Sequence, residues 1–350
     1  MPAILRRCAA LVPFAAVVPF LTAAPPAPQP APRGYVCLKA ATAPSIDGKL
    51  DDEAWKAAPW SDDFVDIEGD KKPNPRHRTR MKMLWDDKAL YIAAELTEPD
   101  VWATITEHDA VIFQDPDFEV FLDPDGDNHH YAELEVNARN ATWDLLLTKP
   151  YKDGGKALTG WEIVGLRTAV QVQGTLNDPR DTDRGWTVEI AWPWAGLKEL
   201  TGVPVPPGDG DRWRVNFSRV EWDTTVENGK TVKVKGKPEN NWVWSPQGVI
   251  DMHRPERWGY LQFSTKTSGP VDYRPDPAQA TKDALHEVYY AQRNYHAKHG
   301  HYARTVADLG IDKLAAGVPE IGLSKRGYDA TLPHAGKLWG IADDALLWTK

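Results

Sequence analysis

Apolar and polar residues alternate with a period of two over much of this chain. In residues 117–123, Phe118, Val120 and Leu122 share one face, and Glu119, Phe121 and Asp123 the other. In residues 131–137, Ala132, Leu134 and Val136 alternate with Glu133, Glu135 and Asn137. Strands turn successive side chains to opposite faces, so these segments are predicted as paired strands with one apolar and one carboxylate-bearing face. An acidic loop with a glycine joins them. Residues 79–85 and 89–96 flank Asp86, Asp87 and Lys88 and read as a hairpin. Residues 185–194 carry Trp186, Val188, Ile190 and Trp192 on one face, and 212–220 carry Trp213, Val215 and Phe217 opposite Arg214, Asn216 and Ser218. Further strands are predicted within 142–147, 161–173, 242–245 and 258–263. Many short strands with frequent turns and little helix predict a mainly β chain built as an antiparallel β-sandwich.

The pattern changes outside residues 40–264. Residues 265–277 are polar with several prolines and read as a linker. From residue 278 the period becomes helical, with Ala284, Val288, Ala291 and Tyr295 in step and Gly300 as the stop, so residues 278–350 are predicted as a small helical extension. At the other end, Arg6 and Arg7 precede an apolar run closed by small residues, the pattern of a cleavable export signal over residues 1–24. Such a chain is expected to be secreted or periplasmic, with no transmembrane anchor, because the run is short for a span. Residues 25–39 begin PPAPQPAPR and read as a Pro/Ala-rich linker.

Composition narrows the function. The chain has 350 residues and a net charge of −9, which argues against nucleic acid as a partner. It has 16 Trp against 8 Phe and 11 Tyr, enough for both a core and a ligand platform. Cysteine occurs twice, at Cys8 and Cys37, so a signal-cleaved chain forms no internal disulfide and no thiolate zinc site. Gly-x-Ser-x-Gly, His-Glu-x-x-His and phosphate-binding glycine loops are all missing from the sequence.

Five segments, in this order, resemble carbohydrate-binding module family 9: 45–55 (SIDGKLDDEAW), LWD at 84–86 with Leu90 and Tyr91, 117–123 (DFEVFLD), 186–193 (WTVEIAWP) and 255–263 (PERWGYLQF). The resemblance spans residues 40–264. It implies a DOMON-like β-sandwich, exported, with a saccharide or polysaccharide as partner and no catalytic activity of its own. Family 9 modules clamp a terminal sugar between two tryptophans. The resemblance puts the first at Phe113 and the second near Met252 and His253, matches Glu119 to the family's acid, and puts Glu135 where arginine is frequent. Sugar hydroxyls need acids, amides and guanidinium groups. The candidate binding residues are therefore Phe113, Glu119, Glu135, Asn137, Arg214, Asn216, Arg219 and His253; Arg219 is out of phase with Arg214 and Asn216 and needs a bulge to join them.

Three other readings compete. Asp123, Asp125 and Asp127 have the oxygen density of a calcium loop but not its spacing, and read first as an acidic turn; no cofactor is required, and a structural calcium is the alternative that the resemblance supports. Glu119 and Glu135 are carboxylates on neighbouring strands, as in a glycoside-processing enzyme, but an open, solvated sheet face does not raise their pKa. Met81, Met83, Met252 and His253 are the residue types that hold haem in some relatives of this sandwich.

Overall fold

The computed structural model describes residues 31–311 and 313–350. The export signal and most of the proline-rich segment lie outside the described residues. The strands in chain order are β1 (Gly34–Lys39), β2 (Val65–Asp66), β3 (Thr79–Trp85), β4 (Ala89–Thr97), β5 (Asp117–Asp123), β6 (Tyr131–Asn137), β7 (Thr142–Leu147), β8 (Ala157–Leu158), β9 (Arg167–Gln173), β10 (Gly185–Pro193), β11 (Arg212–Glu221), β12 (Thr224–Glu227), β13 (Lys230–Lys233), β14 (Asn240–Val243) and β15 (Gly259–Ser264). A single turn of helix, α1 (Glu53–Ala57), precedes β2.

One hydrogen-bonded path runs β8-β7-β6-β5-β11-β15-β1-β3-β4-β10-β9, with β14 and β2 added at β11. The sheet curls so that Phe118, Val120 and Leu122 of β5 share a core with Ile92 of β4 and Val188 and Ile190 of β10. The pairing is antiparallel except at β1, which runs parallel to both β15 and β3. β1 falls within the segment read as the end of a linker. Tyr35 and Cys37 point inward and are buried, so residues 34–39 are a central strand and only what precedes them can be a linker. The strand expected over 161–173 begins at Arg167.

Buried polar residues on the outer faces follow from what covers them. On β10, Trp186, Val188, Ile190 and Trp192 fill the core as their spacing predicts. Glu189, on the opposite face, is also buried, because the turn before α1 lies over it. Its carboxylate accepts the Trp55 indole N–H at 2.6 Å and the backbone N–H groups of Asp47 and Gly48. Gly259 in β15 is required by packing: a Cβ there would sit 2.2 Å from the Trp244 ring.

The expected C-terminal helix is α2 (Gln279–His299), ended by Gly300 at φ 73°. Its buried stripe is Ala284, Leu285, Val288, Tyr289 and Gln292, rotated from the stripe read in the sequence. Tyr295 instead stacks on His299 at the helix end. Beside α2 the extension also forms an antiparallel sheet of β16 (Glu320–Leu323), β17 (Tyr328–His334), β18 (Lys337–Ala342) and β19 (Leu347–Thr349). Helix and sheet share a core of Leu285, Val288, Tyr289, Ala330, Leu332 and Ile341. The segment before the helix is tied to the sandwich, with Gln262 bonded to Asp272 and Arg274 and the Tyr260 hydroxyl to Asp276. No helix among the described residues is long and apolar enough to cross a membrane.

Candidate functional site

The register of β7, β6, β5 and β11 assembles the polar face. Glu119 lies directly opposite Glu135, which lies opposite Trp143; Phe121 lies opposite Glu133, which lies opposite Leu145. On its other side Glu119 faces Ser218 of β11. These side chains of β5, β6 and β7 line a cavity of about 210 Å³, closed at its edges by Phe113, Tyr151, Glu239, Met252 and His253.

The acids are buried, not solvated. Glu119 is 6% exposed, Glu133 5% and Glu135 2%. Loops over the sheet face remove the solvent that an open face would have. Burial raises all three carboxyl groups, Glu119 to about 7, with Glu239 adding to the shift and Ser218 opposing it. Glu133 and Glu135 are pushed well above the carboxylate range by burial and then by the neighbouring acids. Asp117, wholly buried behind them, behaves the same way. The expectation that this face leaves its acids unperturbed is thus overturned: each has other acids near it and little water to stabilise its charge.

Of the eight candidate residues, Phe113, Glu119, Glu135 and His253 come together here. The Phe113 N–H donates to Glu135 at 2.9 Å, and its carbonyl accepts the Trp222 indole N–H at 3.1 Å, so the backbone is held where the ring borders the cavity. His253 shares a hydrogen bond with the Tyr131 hydroxyl at 2.9 Å and packs edge-on to Tyr151. Burial, then the charge of Lys152, lowers its pKa to about 4, so it is neutral.

The other four are placed elsewhere by bonds of their own. Asn137 donates to Ile105 O and Asp115 and accepts the N–H groups of Arg139 and Ala141, clasping the loop before β5. Asn216 exchanges two hydrogen bonds with the Ser245 backbone. Arg214 donates to Trp258 O at 2.7 Å, reaches Gln279 of α2 and stacks 3.8 Å over Tyr260. Arg219 stays out of phase with them, sealed between Glu98 and Glu221. Sequence reasoning passed over Glu133, Tyr151 and Glu239 as site residues. Glu133 was legible from its alternation with Glu135; Tyr151 and Glu239 come from loops and left no periodic signal.

Among the described residues, three clusters offer oxygens or nitrogens within 4.8 Å of one another, as a cation would need: Asp117 with Glu119 and Glu135, Asp123 with Asp125 and Asp127, and His108 with Asp144 and Glu162. The second serves its own turn. Asp123 accepts the N–H groups of Gly126 and Asn128, Asp127 that of His129, and Asp125 both Gly202 N–H and the Thr201 hydroxyl. For haem, Met81 and Met83 are buried in the main sandwich core, while His253 packs with Phe121 and Tyr131, so these methionines do not pair with it.

The family model for carbohydrate family 9 binding domain-like proteins matches residues 46–243. The chain belongs to that family. Over 160 residues this family 9 domain is 25% identical to the exoglucanase XynX of Acetivibrio thermocellus, covering 46% of this chain and 12% of that protein's length. Among solved structures it is similar to a family 9 carbohydrate-binding module from Caldicellulosiruptor kristjanssonii in complex with cellotriose, at 17% identity and a TM-score of 0.45. The glucose complex of a module from the same organism gives 16% and 0.44; each covers 69% of this chain and 100% of its own.

The family 9 domain and its C-terminal extension meet beside the cavity. Arg293 of α2 bonds Asp153 at 2.6 Å, and Tyr289 bonds the same carboxylate. Tyr290 donates to Glu256. These contacts hold segments 151–153 and 252–256, which supply Tyr151, Met252 and His253 to the cavity wall. On the acidic loop, Asn128 donates to Ala345 O at 2.8 Å and bonds His286, and Leu347 N–H reaches Asp127 O.

Proposed function

We propose that this chain is an exported, non-catalytic carbohydrate-binding protein that takes a saccharide unit in the cavity between β7, β6, β5 and β11. The observation that carries the reading is an aromatic-walled cavity with buried polar atoms that have no protein partner. The Trp143 indole Nε1 and Glu133 Oε2 are unbonded there, one a donor and one an acceptor, among the rings of Phe113, Phe121 and Tyr151. Sugars present apolar C–H faces and hydroxyl rims that satisfy both kinds of wall. Family membership supports it, as do the cellotriose and glucose named with the similar modules. The test is a glycan array followed by calorimetric titration of the full chain. Binding to a saccharide that Trp143→Ala weakens is expected, and no binding to any polysaccharide, oligosaccharide or monosaccharide would sink the proposal.

Glycoside cleavage is the second reading. What favours it is Glu119, raised to about 7 by burial directly across from Glu135, as a general acid beside a second carboxylate must be. It predicts release of reducing sugar that disappears in Glu119→Gln. A structural calcium at Asp123, Asp125 and Asp127 remains part of the proposal. A melting temperature that falls on adding a chelator and recovers with calcium would support it, and an unchanged one would remove it.

A further inference from the structure

Four of the residues lining the cavity are glutamates, Glu119, Glu133, Glu135 and Glu239, and none is lysine or arginine; the charges of Lys152 and Lys233 reach His253 and Glu239 from outside that lining. Several other buried acids of this molecule have cations beside them. Arg219 lies between Glu98 and Glu221, Lys282 bonds Asp276 at 3.0 Å, and Arg293 bonds Asp153. In the cavity, by contrast, Glu119 and Glu135 face each other across adjacent strands, and Asp117 brings a third carboxylate oxygen within 4.8 Å of theirs. Two carboxyl oxygens around them are left over: Glu133 Oε2 and Asp117 Oδ2 are buried and unbonded, and Glu133 itself is 5% exposed.

Carboxyl groups this close in a water-poor site hold their protons, because ionising them would set like charges together without a partner. A neutral sugar supplies hydroxyl donors but gives these acids no counter-charge to ionise against. Resting on the saccharide reading above, we infer that the sugar this cavity selects is cationic, an amino sugar whose protonated amine sits among Glu119, Glu133 and Glu135. A bare metal ion would also relieve the charge. The walls favour an organic cation instead, because hard cations take oxygen on all sides whereas Phe113, Phe121, Trp143 and Tyr151 border this space. Aromatic faces attract an ammonium group and stack on a pyranose ring. The unbonded Trp143 N–H is left for a ring hydroxyl.

The full chain is titrated calorimetrically at pH 6 and low salt with glucosamine, with glucose and with calcium chloride alone. Glucosamine is expected to bind about tenfold or more tightly than glucose, with the margin shrinking as salt is raised. Glu133→Gln and Glu135→Gln, each checked for an intact melting transition, are expected to erase the preference. Glucose binding as tightly as glucosamine overturns the inference and leaves the saccharide reading standing. Calcium that binds the chain and displaces glucosamine overturns it in favour of a metal site. Failure of both sugars, and of every saccharide on the array, removes the saccharide reading itself.

Discussion

Glu119 shows how a site residue and a stability liability can be the same group. Its folded pKa, raised by burial to about 7, exceeds the ordinary carboxylate value near 4.5. The folded state therefore holds a proton that the unfolded state has lost, and stability falls as pH rises across that window. Glu119→Gln is expected to melt higher than the parent at pH 8, by about 1–3 kcal/mol, and by a smaller margin at pH 5. Saccharide binding should be lost at both. Thermal unfolding at the two pH values checks this, and a variant that melts lower at pH 8 would contradict it. The aromatic walls make a separate prediction: Phe113→Ala and Trp143→Ala should each weaken binding by about 1–2 kcal/mol in calorimetry. Single residues were only partly legible. The alternation assigned Glu119, Glu133 and Glu135 to one face, but Asn137, Arg214 and Asn216 are of equally suitable type and are consumed by bonds to the protein. Which polar groups are left free is decided by partners far away in the chain, and residue type does not record them.

At the level of elements, α2 acts as a clamp. His286 on its buried face bonds Asn128 of the acidic loop and shares a backbone contact with Lys282. Burial lowers its pKa to about 4, with the charges of Arg214 and Lys152 acting in the same direction and Glu256 against them. The unfolded chain takes up a proton below about pH 6.5 and the folded chain only below about 4, so the contact loses stability as pH falls through that range. The loss is expected to approach about 3 kcal/mol at pH 4. Hydrogen-exchange protection factors of the α2 amides should fall as pH is lowered from 6.5 to 4.5, and His286→Asn should flatten that dependence; equal profiles for the two proteins would refute it. Element types were largely readable from the period: β10 and β5 follow their alternation and α2 ends at Gly300. β1 follows a run of Pro/Ala-rich composition and is too short to announce itself, and its two parallel partners lie 45 and more residues away. The extension's sheet was missed for a similar reason, as β16 to β19 are short and only β17 and β18 pack substantially on α2.

For the molecule as a whole, sandwich and extension depend on each other. Deleting residues 278–350 would remove Arg293 from Asp153 and Tyr290 from Glu256, weakening the hold on two buried carboxylates next to the segments carrying Tyr151 and His253. The truncated chain is expected to melt lower and bind saccharide more weakly; binding equal to that of the full chain would show that the wall stands without the extension. The sequence by itself determined the class of fold, the family and the strand that carries Glu119, because side-chain alternation and short motifs are local and survive without knowledge of neighbours. Only the tertiary structure decided that the carboxylate face is buried, that Phe113, Tyr151 and His253 close it into a cavity, and that no lysine or arginine enters. Those outcomes depend on which loops cover the sheet and which distant groups satisfy each polar atom, and in a folded chain such partners are set by packing between segments far apart in sequence.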